Sequence, residues 1–448
     1  MTFEDLKRAV ADGAIDTVIA AQTDMQGRLM GKRFQAEFFI DSAWEETHSC
    51  NYLLATDMEM VPVDGYRATG WRTGYGDYVM KPDLSTLRRL PWSQKTALVL
   101  CDVLEHETLE EVPHSPRAML KKQISRMGGK GMIPMSATEL EFFLFRDSYE
   151  EARDNGYRGL SPFSAYNEDY HIFQTCKEEE IMHAIRTGLQ GADVPVENTK
   201  GEACAGQAEI NVRYADALAM ADRHVIVKHA CKEIAWMKGR ALTFMAKWND
   251  NAAGSSCHIH QSLQTPDGEP LFYAPDGGMS QMMRHYLAGL LRNSAATTLF
   301  LAPNVNSYKR FVAGTFAPTR AVWSTDNRTA GYRVCAKGHK SVRVECRIGG
   351  ADLNPYLALA ALLAAGLDGI ENKTELEEEF RGDAYAGESE HIPGTLREAA
   401  EMFAKSETLR AAFGEEVVEH YVHAANWEQS EYDRRVTDWE IARGFERA

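Results

Sequence analysis

The chain has 448 residues, of which 44% are hydrophobic and 25% charged, and its 49 lysines and arginines face 65 aspartates and glutamates for a net charge of −16. That length can hold more than one domain and a large core, and the composition is ordinary for a soluble enzyme. The acidic balance argues against nucleic acid or an anionic membrane as the main partner.

The opening "MTFEDLKRAVADGAIDT" is a polar amphipathic stretch and not a signal peptide. "TVIAAQTDMQGRLMGKRF" predicts a hairpin turning at Gln26–Gly27, and "TALVLCDV" (96–103) predicts a buried strand. The acidic, proline-bearing "EHETLEEVPHSP" (105–116) reads as a linker. "SPRAMLKKQISRMG" then reads as a helix with Ser115 as N-cap and Pro116 at its first position. A domain boundary is placed near residue 107, dividing the chain into 1–106 and 107–448. The second part mixes strands with long helices, an α+β organisation.

"TELEFFLF" (138–145) is a strand pattern with an oddity. Strand side chains alternate faces, so Glu139 and Glu141 point the same way, together with Phe143. Like charges on one apolar strand repel, and enclosing them demands a cation. Three later stretches carry similar chemistry. "GEACAGQAEINVRY" (201–214) sets Glu202 and Glu209 around a small-residue turn. "GSSCHIHQSL" (254–263) puts His258 and His260 on one strand face, and "SVRVECRIGG" (341–350) puts Arg343, Glu345 and Arg347 on another. Singly, each is more often a solvated or salt-bridged surface than a site. "YLALAALLAAGL" (356–367) is too short to span a bilayer and predicts a buried helix. The eight cysteines include no Cys-X-X-Cys pair, which fits reduced thiols in a cytoplasm better than a disulfide frame or a zinc site.

Together these motifs resemble the glutamine synthetase family over nearly the whole chain. "NVNSYKRFVAGTFAPTRAVWSTDNRTAGYRV" (304–334) is similar to that family's NSYKR and NRxxxxR segments, and "ELEFFLF", "AGQAE", "GSSCHIH" and "RVECR" occur in the family's order. The resemblance implies an N-terminal β-grasp-like domain and a catalytic domain whose antiparallel strands form an open barrel, or funnel. It implies ATP, glutamate and an amine as substrates, with γ-glutamyl phosphate between them. It implies that Glu141, Glu202 and Glu209 hold one divalent cation and that Glu139, His258 and Glu345 hold a second. Oxygen-rich donors of this kind suit Mg²⁺ or Mn²⁺. By the same resemblance Arg310 and Arg347 grip the carboxylates of glutamate, Arg328 stands at the transferring phosphoryl group, and His260 lies between the phosphates and glutamate. Ser262, Arg333, Lys340 and Arg343 fall on the nucleotide side, although the spacing between Arg333 and Glu345 departs from the pattern by about one residue. The family assembles as two stacked hexameric rings, a dodecamer in which Asp57 would act on a neighbouring subunit.

Two departures bear on the substrate. Ammonia-using members carry a glutamate in the flap after SYKR, whereas here "AGTFAP" (313–318) places Phe316 there. Their DGSS motif is also missing from "EETHSCNYLLATDMEM" (45–60). Ammonium needs carboxylates, whereas an alkylammonium has an apolar tail that an aromatic wall suits. The expectation is therefore a ligase making γ-glutamyl amides of a polyamine, ethanolamine or a small monoamine. The competing readings are an ammonia-using glutamine synthetase and an inactive regulatory member. Asp57, Glu59 and Glu209 are the candidate bases.

Overall fold

A computed structural model describes residues 1–448. The hairpin forms as strands β1 (Thr17–Thr23) and β2 (Leu29–Gln35). Its turn is organised by the buried Asp24 carboxylate, which accepts from the backbone N–H of Gln26 (3.0 Å) and Arg28 (2.8 Å) and from Arg28 Nε (2.7 Å). Strands β3 (Thr47–Cys50), β4 (Asp77–Arg89) and β5 (Thr96–Glu105) complete a five-stranded sheet of order β2-β1-β5-β4-β3. β1 and β5 run parallel and the other neighbours antiparallel, a β-grasp-like mixed sheet. Helix Phe3–Ala11 buries Leu6 and Ala9 in the same small core as Val18 and Val99.

The second sheet is built on the 13-residue strand β6 (Ile133–Phe145). It also contains β7 (Val196–Gly201), β8 (Gln207–Val212), β9 (Ala215–Asp216), β10 (Ala241–Thr243), β11 (Cys257–Gln264), β12 (Trp323–Thr325), β13 (Tyr332–Cys335) and β14 (Arg343–Cys346). The order is β12-β13-β14-β11-β6-β8-β7, with β9 and β10 also on β6. Only β12 and β13 run parallel, and the strands curl into a nearly closed, barrel-like sheet.

Helices cover this sheet. Helix Pro355–Glu371, which contains the apolar run "YLALAALLAAGL", is buried along nearly its whole length and so needs no polar face. Helix Pro116–Gly128 starts at its proline as expected, but the Ser115 side chain makes no capping hydrogen bond. The buried Arg117 on this helix joins the first sheet to helix Ala217–Met237, which packs on β6. It reaches Asp83 on β4 (2.7 Å), Asp102 on β5 (2.5 Å) and Asp222 on helix Ala217–Met237 (3.1 Å), and Asp222 also accepts from Tyr356 Oη (2.6 Å). No helix is long and apolar enough to cross a membrane.

Candidate active site

Strand register builds the site. Glu139 on β6 faces His258 on β11, Glu141 faces Glu209 on β8, and Glu345 on β14 faces His260 on one side and Arg333 on the other. All six expected metal-ligand residues line one cavity of about 630 Å³, together with Arg310, Phe316, Arg328, Arg333 and Arg347. The two glutamates of "TELEFFLF" therefore share a face but serve different groups.

The first group is Glu139, His258 and Glu345, whose ligand atoms lie within 4.8 Å of one another. Glu139 contacts His258 Nδ1 at 3.2 Å and His260 Nε2 at 2.8 Å. Burial pushes the Glu139 carboxyl up, but the hydrogen bonds from the two imidazoles dominate and hold it well below the usual range. His258 is pushed down by burial and by the charge of Arg347, which favours the neutral ring able to donate a lone pair. Glu345 is fully buried between Arg347 (2.5 Å) and Arg333 (2.9 Å). Burial raises its carboxyl, but His258 and Arg347 outweigh that and bring it to about 2.

The second group is Glu141, Glu202 and Glu209. Ser256 holds Glu141 through its backbone N–H (2.7 Å) and hydroxyl (2.6 Å). Burial and the neighbouring Glu202 charge still push Glu141 up to about 7, while burial and Glu139 push Glu209 up to about 8. Gln207 Oε1 and Asn211 Oδ1 on the same strand are buried without donors. These donors are short of positive charge, so an oxygen-seeking divalent cation fits them.

The arginines provide the opposite field. Arg310 is buried and its Nη2 donates to the carbonyls of Arg347 (3.1 Å), Ile348 and Gly349 (2.9 Å). Burial lowers its guanidinium to about 10, against the pull of Glu141. Gly254 is required beside it, because a Cβ there would overlap the Arg310 side chain. Arg310, Arg333 and Arg347 each leave a buried Nε without an acceptor. Unmet buried donors are costly, and three around one cavity suit an anionic ligand.

Other expected residues lie further out. Phe316 is 60% exposed at the cavity mouth, with φ +59°, so within one chain it forms a rim and not a closed wall. Arg343 Nε lies 3.1 Å from His260 Nδ1 but does not line the cavity. Ser262 is further along β11, and Lys340 is on an exposed turn. Asp57 lies elsewhere in the chain, where it accepts from the Val61 N–H (2.9 Å) and lines a separate pocket with Gln26 and Tyr66. Glu59 is exposed nearby.

Sequence reasoning missed Ser256, Cys335 and Lys200. Ser256 lies inside the "GSSCHIH" motif, but only the β6–β11 pairing shows what it holds. Cys335 Sγ approaches Glu345 Oε2 at 3.4 Å, and Lys200 pairs with Glu202.

Residues 113–444 match the family described as glutamine synthetase, catalytic domain. The chain belongs to the glutamine synthetase family. It is 50% identical over 445 residues to a gamma-glutamylethanolamide synthetase of Streptomyces coelicolor, covering 99% of this chain and 96% of that one. It is 38% identical over 435 residues to a glutamate–isopropylamine ligase of a Pseudomonas species, covering 96% and 95%. Among solved structures, a GmaS–ADP complex superposes with a TM-score of 0.86 at 28% identity, covering 99% of this chain and all of the other. Within this glutamine synthetase architecture the paired clusters and the arginines share the cavity at the heart of the catalytic sheet.

Proposed function

We propose that the protein is an ATP-dependent ligase that joins the γ-carboxylate of glutamate to an organic amine, of which ethanolamine and small alkylamines are the nearest chemistry. The observation that carries this reading is the one cavity that combines two carboxylate-rich clusters with three arginines whose buried Nε atoms lack acceptors. The relatives named above are ligases of ethanolamine and isopropylamine by name, and Phe316 stands where ammonia users carry a carboxylate.

A carboxylate resists amines because its oxygen is a poor leaving group. Attack by the γ-carboxylate on the γ-phosphate of ATP gives γ-glutamyl phosphate and ADP; the amine then displaces phosphate. In this reading Arg310 and Arg347 orient glutamate through bidentate contacts, and Arg328 meets the charge on the transferring phosphoryl group. His260 stands between the phosphates and glutamate, with Ser262, Arg333, Lys340 and Arg343 toward the nucleotide. Glu141, Glu202 and Glu209 would hold one Mg²⁺ or Mn²⁺, and Glu139, His258 and Glu345 another. When bound, such ions supply positive charge at the phosphoryl oxygens. The amine must lose a proton, because an alkylamine with a pKa near that of lysine, about 10.4, is almost wholly protonated at neutral pH. Glu209 is in the cavity to accept it, and Asp57 or Glu59 of a neighbouring subunit are the alternatives. This arrangement goes with a boundary near residue 107, a dodecamer of two hexameric rings and a cytoplasmic location.

The test is ADP release with ATP and glutamate fixed and the amine varied. Glutamate-dependent turnover with an alkylamine supports the reading, and none with any amine contradicts it.

A further inference from the structure

The cavity contains a cation that the ligase chemistry above does not use. Lys200 is on β7, opposite Glu209. Its Nζ pairs with Glu202, lies 3.4 Å from Asp169 Oδ1 and stands 4.6 Å from the centre of the Tyr170 ring. Glu202 belongs to the Glu141–Glu202–Glu209 cluster, which leaves the Asp169 carboxylate and the Tyr170 face as what an alkylammonium binds here. The chain's own alkylammonium is already there.

The seat is built and not fluid. Ser164 Oγ accepts from the Gly206 N–H (2.7 Å) and donates to the buried Glu168 (2.9 Å), which fixes the loop carrying Asp169 and Tyr170. Asp169 N–H donates to Asn167 Oδ1 at 3.0 Å, and Tyr170 is held at φ +56°. Gly201, next to Lys200, is needed for the approach, since a Cβ there would overlap the Glu168 carbonyl. The Asp169 and Tyr170 contacts use no atom of the Glu141–Glu202–Glu209 cluster.

We infer that Lys200 is a specificity residue that excludes amines bearing a second positive charge. The inference rests on the ligase reading and narrows its substrate class to monocationic amines. A diamine that presents one nitrogen for acylation must place its distal ammonium within the same cavity. The acidic, aromatic seat suited to that group is filled by a tethered ammonium, which gives up no translational freedom in occupying it. The incoming charge meets the Lys200 ammonium, whose side chain is 19% exposed. Ethanolamine or a short alkylamine brings no second charge and meets no such opposition.

The experiment compares kcat/KM for n-butylamine, 1,4-diaminobutane and N-acetyl-1,4-diaminobutane by ADP release, at saturating ATP and glutamate and one pH. The wild type should use butylamine and the acetylated diamine at least about tenfold better than the free diamine. Lys200→Met should raise the diamine-to-butylamine ratio at least tenfold, mainly through the diamine KM, whereas Lys200→Arg should keep the wild-type ratio. A Lys200→Met ratio equal to that of the wild type overturns the inference. So does a wild type that uses the diamine as well as its acetylated form, a comparison that decides the matter if the methionine variant does not fold. Failure of the wild type with every amine would instead overturn the ligase reading itself.

Discussion

Glu139 and His258 are cross-strand partners on β6 and β11, and their side chains meet at 3.2 Å. The same carboxylate reaches His260 at 2.8 Å, so one strand glutamate gathers both histidines of "CHIH".

Glu139→Ala should therefore remove a donor from its cluster and abolish turnover with little loss of stability. Glu345→Ala should abolish turnover and also destabilise the fold by about 3–5 kcal/mol, because Arg333 and Arg347 lose a fully buried counter-ion. ADP release and urea unfolding of both variants check this. Activity above a tenth of wild type in either would remove that cluster from the mechanism.

Arg310→Lys should raise the KM for glutamate at least tenfold and leave the amine KM nearly unchanged, since lysine keeps the charge and loses the fork. Its Nη2 also serves three backbone carbonyls, so the thermal midpoint should fall as well. An unchanged glutamate KM would mean that Arg310 is a structural residue alone.

Arg117→Met should cost about 3–5 kcal/mol while leaving the KM values intact, since two carboxylates of the first sheet and one on helix Ala217–Met237 lose their shared cation far from the cavity. Chemical denaturation reads the loss. A change under about 1 kcal/mol would show that the network does not hold the first sheet to that helix.

His114 and His420 stack with ring centres 4.2 Å apart, near Tyr66 and His423. Burial pushes His114 down to about 4, and burial together with His114 pushes His420 well below 6.5. Below pH 6.5 the unfolded chain takes up protons that the folded chain refuses, so stability falls with pH. Each histidine contributes a slope that approaches about 1.4 kcal/mol per pH unit well below pH 6.5, or about 1.4 kcal/mol in all between pH 7.5 and 5.5. Unfolding free energies at pH 7.5 and 5.5 should show this loss, reduced in His114→Gln. A variant with the full wild-type slope would exclude His114 as a cause.

The local patterns were legible because they depend on period and turn chemistry. Alternation put Glu139 and Glu141 on one face, and the small-residue turn put Glu202 near Glu209. What was not legible depends on register between distant strands. Nothing in "NTKGEACAGQAE" says that Lys200 will swing onto Glu202, or in "YRVC" that Cys335 will lie beside Glu345. The short β3 and the π-helical turn at Phe39–Ala43 are likewise set by packing and not by a sequence signal. Phe316 could be read as a departure from a family pattern, but its positive φ and exposure could not.

In the proposed reaction the nucleophile is an organic amine and not ammonia. The most direct measurement is kcat/KM for ethanolamine against ammonium, on total amine at one pH, in wild type and Phe316→Glu. The wild type should prefer ethanolamine by at least about tenfold, roughly 1.4 kcal/mol, and the glutamate variant should shrink that preference by restoring a carboxylate for ammonium. A wild type that uses ammonium as well as every organic amine tested would make ammonia the substrate.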